Sequence, residues 1–399
     1  MHDQHSNSDS DHQTAAQFLR LCLCGRWDAA ALEAASVQSA SNPVDWKTVC
    51  QAAQCEGLAP LLYQITREWG RAAGLPPAVD EELRRAYLGT ARRNAILFSE
   101  LERILPALET AGAPVLLLKG AALAQVVYCN IALRPMADLD LLVREEHVPA
   151  ALRVLTACGY EITPPLVYRS EVMLHRHIQA ETVLVELHWS PFIPPYYHYS
   201  GLIDWVWQTA LPVVDSPASS SAWMLGIEAQ LLHLCGHILL HHAGEKEAKQ
   251  LWLHDIAEVI AHYRHMIDWD ELSARAQEYD LVLPIQRVVT QVVAEYWQCL
   301  AKDQAPPIPA AILGRLSCLK PSPGEQRLHA YLAGSSHAAA RRLWGEMAAL
   351  PGRRAQLDFG WRNLFPPAGY VHACYRVRHR LLVSVYYPYR WFLALRSLV

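Results

Sequence analysis

APVLLLKGAALAQVVYCNIALRPMADLDLLV, residues 113–143, decides how the rest of the chain is read. Pro114 to Leu118 is a short apolar run suited to a buried strand, and it ends at Lys119-Gly120. Ala121 to Tyr128 then reads as a helix, and Leu139 to Val143 as a second buried strand entered through Asp138-Leu139-Asp140. Further on, a helix from Glu145 to Cys158 stops at Gly159. Two more strands, His175–Ala180 and Thr182–Trp189, are expected to form a hairpin turning at Glu181-Thr182. Strand, helix, strand, helix and hairpin make a small mixed sheet.

Side chains alternate along a strand, so Asp138 and Asp140 point one way while Leu139 and Leu141 point into the core. Two adjacent carboxylates in apolar surroundings repel each other unless a cation sits between them. Oxygen ligands at that spacing suit Mg²⁺ held together with substrate phosphates. Glu186 adds a third carboxylate from another strand, where Leu184, Glu186 and His188 share one face. It serves either as a metal ligand or to activate an attacking hydroxyl; the bland alternative is a surface Glu paired across the sheet. Lys119-Gly120, between a strand and a helix, offers backbone N–H groups and an ammonium to an anion. Arg134 is a second cation for phosphates, or else a partner for one of the acids.

Taken together, Leu118-Lys-Gly-Ala-Ala122, Tyr128, Leu133-Arg134, Asp138-Leu-Asp-Leu-Leu-Val143, Gly159-Tyr160 and Val185-Glu-Leu-His-Trp189 resemble the uncharacterised bacterial nucleotidyltransferases of the DNA polymerase beta superfamily. A more distant likeness is to abortive-infection toxin nucleotidyltransferases. The resemblance is carried by residues 95–190 and continues more weakly to Asp268-Trp269. It implies an α+β fold, a small mixed β-sheet core embedded in a largely α-helical protein. It implies an enzyme that moves a nucleoside monophosphate from a triphosphate such as ATP to an acceptor hydroxyl by a two-metal mechanism. Asp138, Asp140 and Glu186 are the catalytic and metal-binding acids so implied, with Mg²⁺, or Mn²⁺ in its place. Lys119, Gly120 and Arg134 are the implied nucleotide-binding residues. Ala121 stands where the superfamily usually has Ser, so either Lys119 replaces that hydroxyl or triphosphate binding is weaker.

The acceptor is open: a small molecule, a protein or an RNA. A toxin-like or tRNA-modifying transferase and a non-catalytic nucleotide-binding scaffold are the alternative readings. From Ala338 onward ten Arg stand against two acids, interleaved with Tyr, Trp and Phe. Arg376, Arg378, Arg380, Arg390 and Arg396 are the residues that would hold nucleic acid there, unless they merely complement the acidic remainder.

The net charge of −4 gives no general attraction to nucleic acid, and the 52% hydrophobic content excludes a disordered chain. No signal sequence or spanning segment is evident, so a cytoplasmic location is expected. Ten cysteines without a C-x-x-C pair read as buried thiols. The expected division is a disordered tail over 1–12, helices over 13–92, the catalytic core over 93–215, a packing helical domain over 216–300, and a Pro-containing linker with an Arg/aromatic-rich region over 301–399. Within the fourth unit, Trp223–His242 reads as one helix carrying His233, His237 and His241 as a stripe. That stripe packs on the sheet, contacts the base or acceptor, or binds zinc. His254-Asp255 reads as a structural pair, with Asp255 orienting His254 or Arg264.

Overall fold

The computed structural model describes residues 3–41, 44–70, 74–163, 170–192, 200–213, 222–241, 249–297, 306–333, 347–348, 350, 352–375 and 383–396. The first helix, α1 (Asp3–Cys24), starts inside the stretch read as a loose tail. Then come α2 (Ala29–Ser41), α3 (Trp46–Cys55), α4 (Ala59–Trp69) and the long α5 (Pro77–Thr110). Asp45 caps α3 by accepting from the backbone N–H groups of Lys47 and Thr48. Gly112, at φ 68°, lets the chain leave α5 for the sheet.

Seven strands form one mixed sheet: β1 (Leu116–Leu117), β2 (Asp138–Leu142), β3 (Glu161–Thr163), β4 (Glu171–Ile178), β5 (Glu181–His188), β6 (Leu211–Pro212) and β7 (Trp223–Met224). Their order is β3-β4-β5-β2-β1-β7-β6. The central pair β2 and β5 runs parallel, with Asp140 opposite Glu186, while β1 pairs antiparallel with β2. This confirms an α+β protein in which a mixed sheet is embedded among helices.

Three expectations shift. The hairpin turns at Gln179-Ala180, two residues before the expected place, with Gln179 at φ 54°. Glu181 instead begins β5, where Arg92 and Arg93 both pair with its carboxylate. Trp223–His242 is not one helix. Trp223 and Met224 pair in parallel with β1, and the helix α9 (Ile227–Gly236) begins only after Gly226. A side chain at Gly226 would stand 2.5 Å from the Thr209 carbonyl oxygen, so the chain must cross there as backbone alone. Finally, α6 (Lys119–Val126) starts at Lys119 itself, which shortens the first strand.

The sheet divides the core in two. Leu117, Leu139, Leu141, Val183, Val185 and Leu187 pack on α5 and α7 (Val148–Ala157). Leu116, Leu118 and Leu142 face the other way, into a helical core that includes α8 (Ser200–Gln208), α9, α10 (Gln250–His262), α11 (Trp269–Glu278) and α12 (Val282–Val292). Alternation therefore sends Asp138 and Asp140 toward the helical side. Past α13 (Ala310–Cys318) and α14 (Pro323–Ala333), the C-terminal helices 352–364, 368–374 and 383–396 follow. Tyr370, Val371, Cys374 and Val383 bury into the core beneath the sheet. Among the described residues no helix is long and apolar enough to cross a membrane.

Candidate active site

Three strand ends and one turn meet on the helical side of the sheet. β1 delivers Lys119, β2 delivers Asp138 and Asp140, and β5 delivers Glu186 and His188. The Leu118 N–H donates to the Asp140 carbonyl at 3.0 Å, locking the turn to β2. Lys119 occupies the left-handed region at φ 45°, a conformation that costs an L-residue roughly 1–2 kcal/mol. That backbone places its ammonium 2.9 Å from Asp140 Oδ1, where a charge-assisted hydrogen bond offsets the strain.

The loop before β2 is clamped from α5. Asn94 Nδ2 donates to the carbonyls of Ile131 and Arg134, and Arg93 donates to those of Ala137 and Thr182. Asp138 thereby enters its strand from a fixed position. Arg134 is itself buried and makes a two-pronged pair with Asp255 of α10, at 2.8 and 3.3 Å, while Tyr128 Oη donates to the same carboxylate at 2.8 Å. Asp255 therefore orients neither His254 nor Arg264. His254 stacks on Trp27, with its Nε2 3.2 Å from Glu258 Oε1.

A cavity of about 570 Å³ opens onto this cluster, lined by Lys119, Arg134, Asp138, Asp140, Glu171, Glu186 and His188 together with helical residues. Five of the six residues singled out in the sequence thus converge on it. Gly120 is not among the lining residues: it is buried, and a Cβ there would lie 2.5 Å from Arg134 Nη1 and 2.7 Å from Met136 Cγ. The glycine seats Arg134 against the turn.

Charges are densely packed here. Burial and the neighbouring Asp140 and Glu186 carboxylates push Asp138 up to about 6. Burial would raise Asp140 too, but Lys119 and His188 outweigh it and hold the group well below the usual carboxylate range. Burial works against the charged form of Lys119, yet Asp140 reverses this and lifts its pKa. His188 was not singled out as a ligand, although its place on the Glu186 face could be read from the alternation in Val185-Glu-Leu-His. Burial opposes its charge, but hydrogen bonds to Asp140 and Glu186 raise it to about 9. Its Nε2 lies 3.1 Å from Asp140 Oδ1 and 3.5 Å from Glu186 Oε2, and its Nδ1 lies 3.6 Å from Glu171.

Asp140, Glu186 and His188 each offer one ligand atom, all within 4.8 Å of one another. The two carboxylates fit a hard divalent cation, and Asp138 lines the same cavity. Imidazole is a poorer ligand for Mg²⁺. His188, held among three carboxylates, suits the task of orienting them.

The histidine stripe does not persist. His233 is buried, with Nδ1 2.6 Å from the Pro191 carbonyl oxygen, so that nitrogen carries the hydrogen. At His237–His241 the helix widens into a π turn, which breaks the four-residue spacing. His237 lines the cavity, and the His241 side chain falls outside the described residues. Arg376, Arg378 and Arg380 also fall outside the described residues, as do the side chains of Arg390 and Arg396. Arg362, which is described, pairs with Glu145 and Asp358.

A protein-family profile described as uncharacterised nucleotidyltransferase matches residues 42–296. The chain belongs to this family. Membership assigns it to nucleotidyl transfer in general, with a nucleotide as the substrate class, and the matched span contains every residue of the acid cluster. No curated protein and no solved structure matches the chain.

Proposed function

We propose that this nucleotidyltransferase moves a nucleoside monophosphate from a nucleoside triphosphate to an acceptor hydroxyl. What supports this reading most is a single feature: Asp140 and Glu186 are directly opposed on parallel strands and share one cavity with Asp138 and Lys119. Asp138, Asp140 and Glu186 are the side chains that would hold the metal. Mg²⁺, or Mn²⁺ in its place, when bound supplies charge stabilisation to the attacking and leaving oxygens. Lys119 exchanges its partner Asp140 for a phosphate oxygen when the triphosphate enters. Arg134, fixed by Asp255, adds positive potential at the cavity wall. Glu186, half-buried and open to the cavity, orients the acceptor hydroxyl. The hydroxyl oxygen attacks the α-phosphorus, the bond to the bridging oxygen breaks, pyrophosphate departs, and the hydroxyl proton passes to solvent.

The test is label transfer. Incubated with Mg²⁺, α-³²P-labelled nucleoside triphosphates and separated pools of RNA, protein and small metabolites, the enzyme is expected to place label covalently in one pool. Tight nucleotide binding with no labelled product in any pool would point to a non-catalytic scaffold instead.

A further inference from the structure

The cavity has a second wall, unlike the acid cluster in chemistry. Gly57, His237, Lys249, Leu251 and Trp252 form it, drawn from the α3–α4 turn, the π turn after α9 and the start of α10. This wall is braced. Glu56 accepts from the Gln250 N–H at 2.7 Å, which ties the first turn of α10 to the α3–α4 turn. Gly57, at φ 74°, sits so close to Leu251 that an added Cβ would stand 3.1 Å from Leu251 Cδ2. The His237 ring meets the Trp252 ring nearly edge-on, at 83° and 5.2 Å between centroids. Trp252, half-buried beside that contact, lines the cavity.

One wall of the site is thus carboxylate, imidazole and ammonium, and the other is a held indole flanked by Leu251, with Lys249 exposed at its edge. A nucleoside triphosphate is divided in the same way, into a charged chain and a flat heteroaromatic ring. Resting on the nucleotidyl-transfer reading above, we infer that Trp252 is the stacking platform for the nucleobase and that Lys249 contacts the phosphate chain. A platform of this kind recognises the π-face of a base more than its edge. It therefore favours purines, which offer the larger face, and discriminates weakly between adenine and guanine.

The experiment is calorimetric titration in Mg²⁺ with α,β-methylene-ATP, α,β-methylene-CTP and inorganic triphosphate. For the wild-type chain the ATP analogue is expected to bind more tightly than the CTP analogue. Trp252→Ala should weaken the ATP analogue about tenfold to a hundredfold, the range expected for one lost stacking partner, and leave inorganic triphosphate unchanged. Trp252→Phe, which keeps an aromatic face, should recover most of the loss. Lys249→Ala should weaken all three ligands alike. Equal binding of the ATP analogue by wild type and Trp252→Ala would overturn the assignment, as would a parallel loss of triphosphate binding in Trp252→Ala. Wild-type protein that binds none of the three would instead remove the nucleotidyl-transfer reading, which separates the two failures.

Discussion

His188 contacts three carboxylates of the site, whereas Asp140 contacts Lys119 and His188. Its ring lies among Asp140, Glu186 and Glu171, so its loss frees carboxylates whose orientation it fixes. Removing such an orienting partner commonly costs about 10–100-fold in metal affinity or activity. His188→Ala is therefore expected to raise the Mg²⁺ concentration for half-maximal rate by that order, measured below the variant's own, lowered thermal midpoint. Unaltered metal dependence in a rate-versus-Mg²⁺ titration would show that His188 only fills space. At this scale the sequence was legible where periodicity decides. The two-residue alternation was enough to put Asp138 with Asp140 and Glu186 with His188. It could not show that Lys119 adopts a left-handed backbone, nor how closely Arg134 packs on Gly120, because both depend on atoms brought from elsewhere in the chain.

Among the elements, one buried ion pair ties the loop before β2 to α10. Arg134 and Asp255 are each nearly inaccessible, and Tyr128 completes the carboxylate's hydrogen bonds. Asp255→Leu leaves a buried guanidinium without its partner and is expected to cost about 3–5 kcal/mol in denaturant unfolding. Adding Arg134→Met should restore most of that stability, since an apolar pair of similar volume removes the stranded charge. If the double variant is as unstable as the single one, the pair contributes through geometry that apolar packing cannot supply. Nothing local in Leu133-Arg134 announces this contact. Its partner is 121 residues away, and the short strands β6 and β7 stayed hidden for a similar reason. Two-residue strands carry too little alternation to register, and β7 joins the sheet only because β1 offers it an edge.

Over the whole molecule, stability should follow pH through a group that does not line the cavity. Glu325 on α14 is buried, and burial, reinforced by nearby Asp280, pushes its carboxyl up to about 7 against the ordinary 4.5. The fold prefers the protonated form, so this contribution is fully present below pH 4.5 and is lost as pH rises through about 7. A shift of that size corresponds to roughly 3 kcal/mol between the two ends of the window. Unfolding midpoints measured across it should show Glu325→Gln gaining on wild type as pH rises; parallel curves would contradict the assignment.

Acids from two parallel strands are proposed to form one catalytic site beside the Lys119 turn. This is tested by Mg²⁺-dependent pyrophosphate release from a nucleoside triphosphate, in the presence of the acceptor pool that takes up label, by wild type and by Asp140→Asn, each with a melting curve recorded alongside. The expected result is release by wild type and none by Asp140→Asn, although the variant melts as a folded protein. Full pyrophosphate release by folded Asp140→Asn would contradict it.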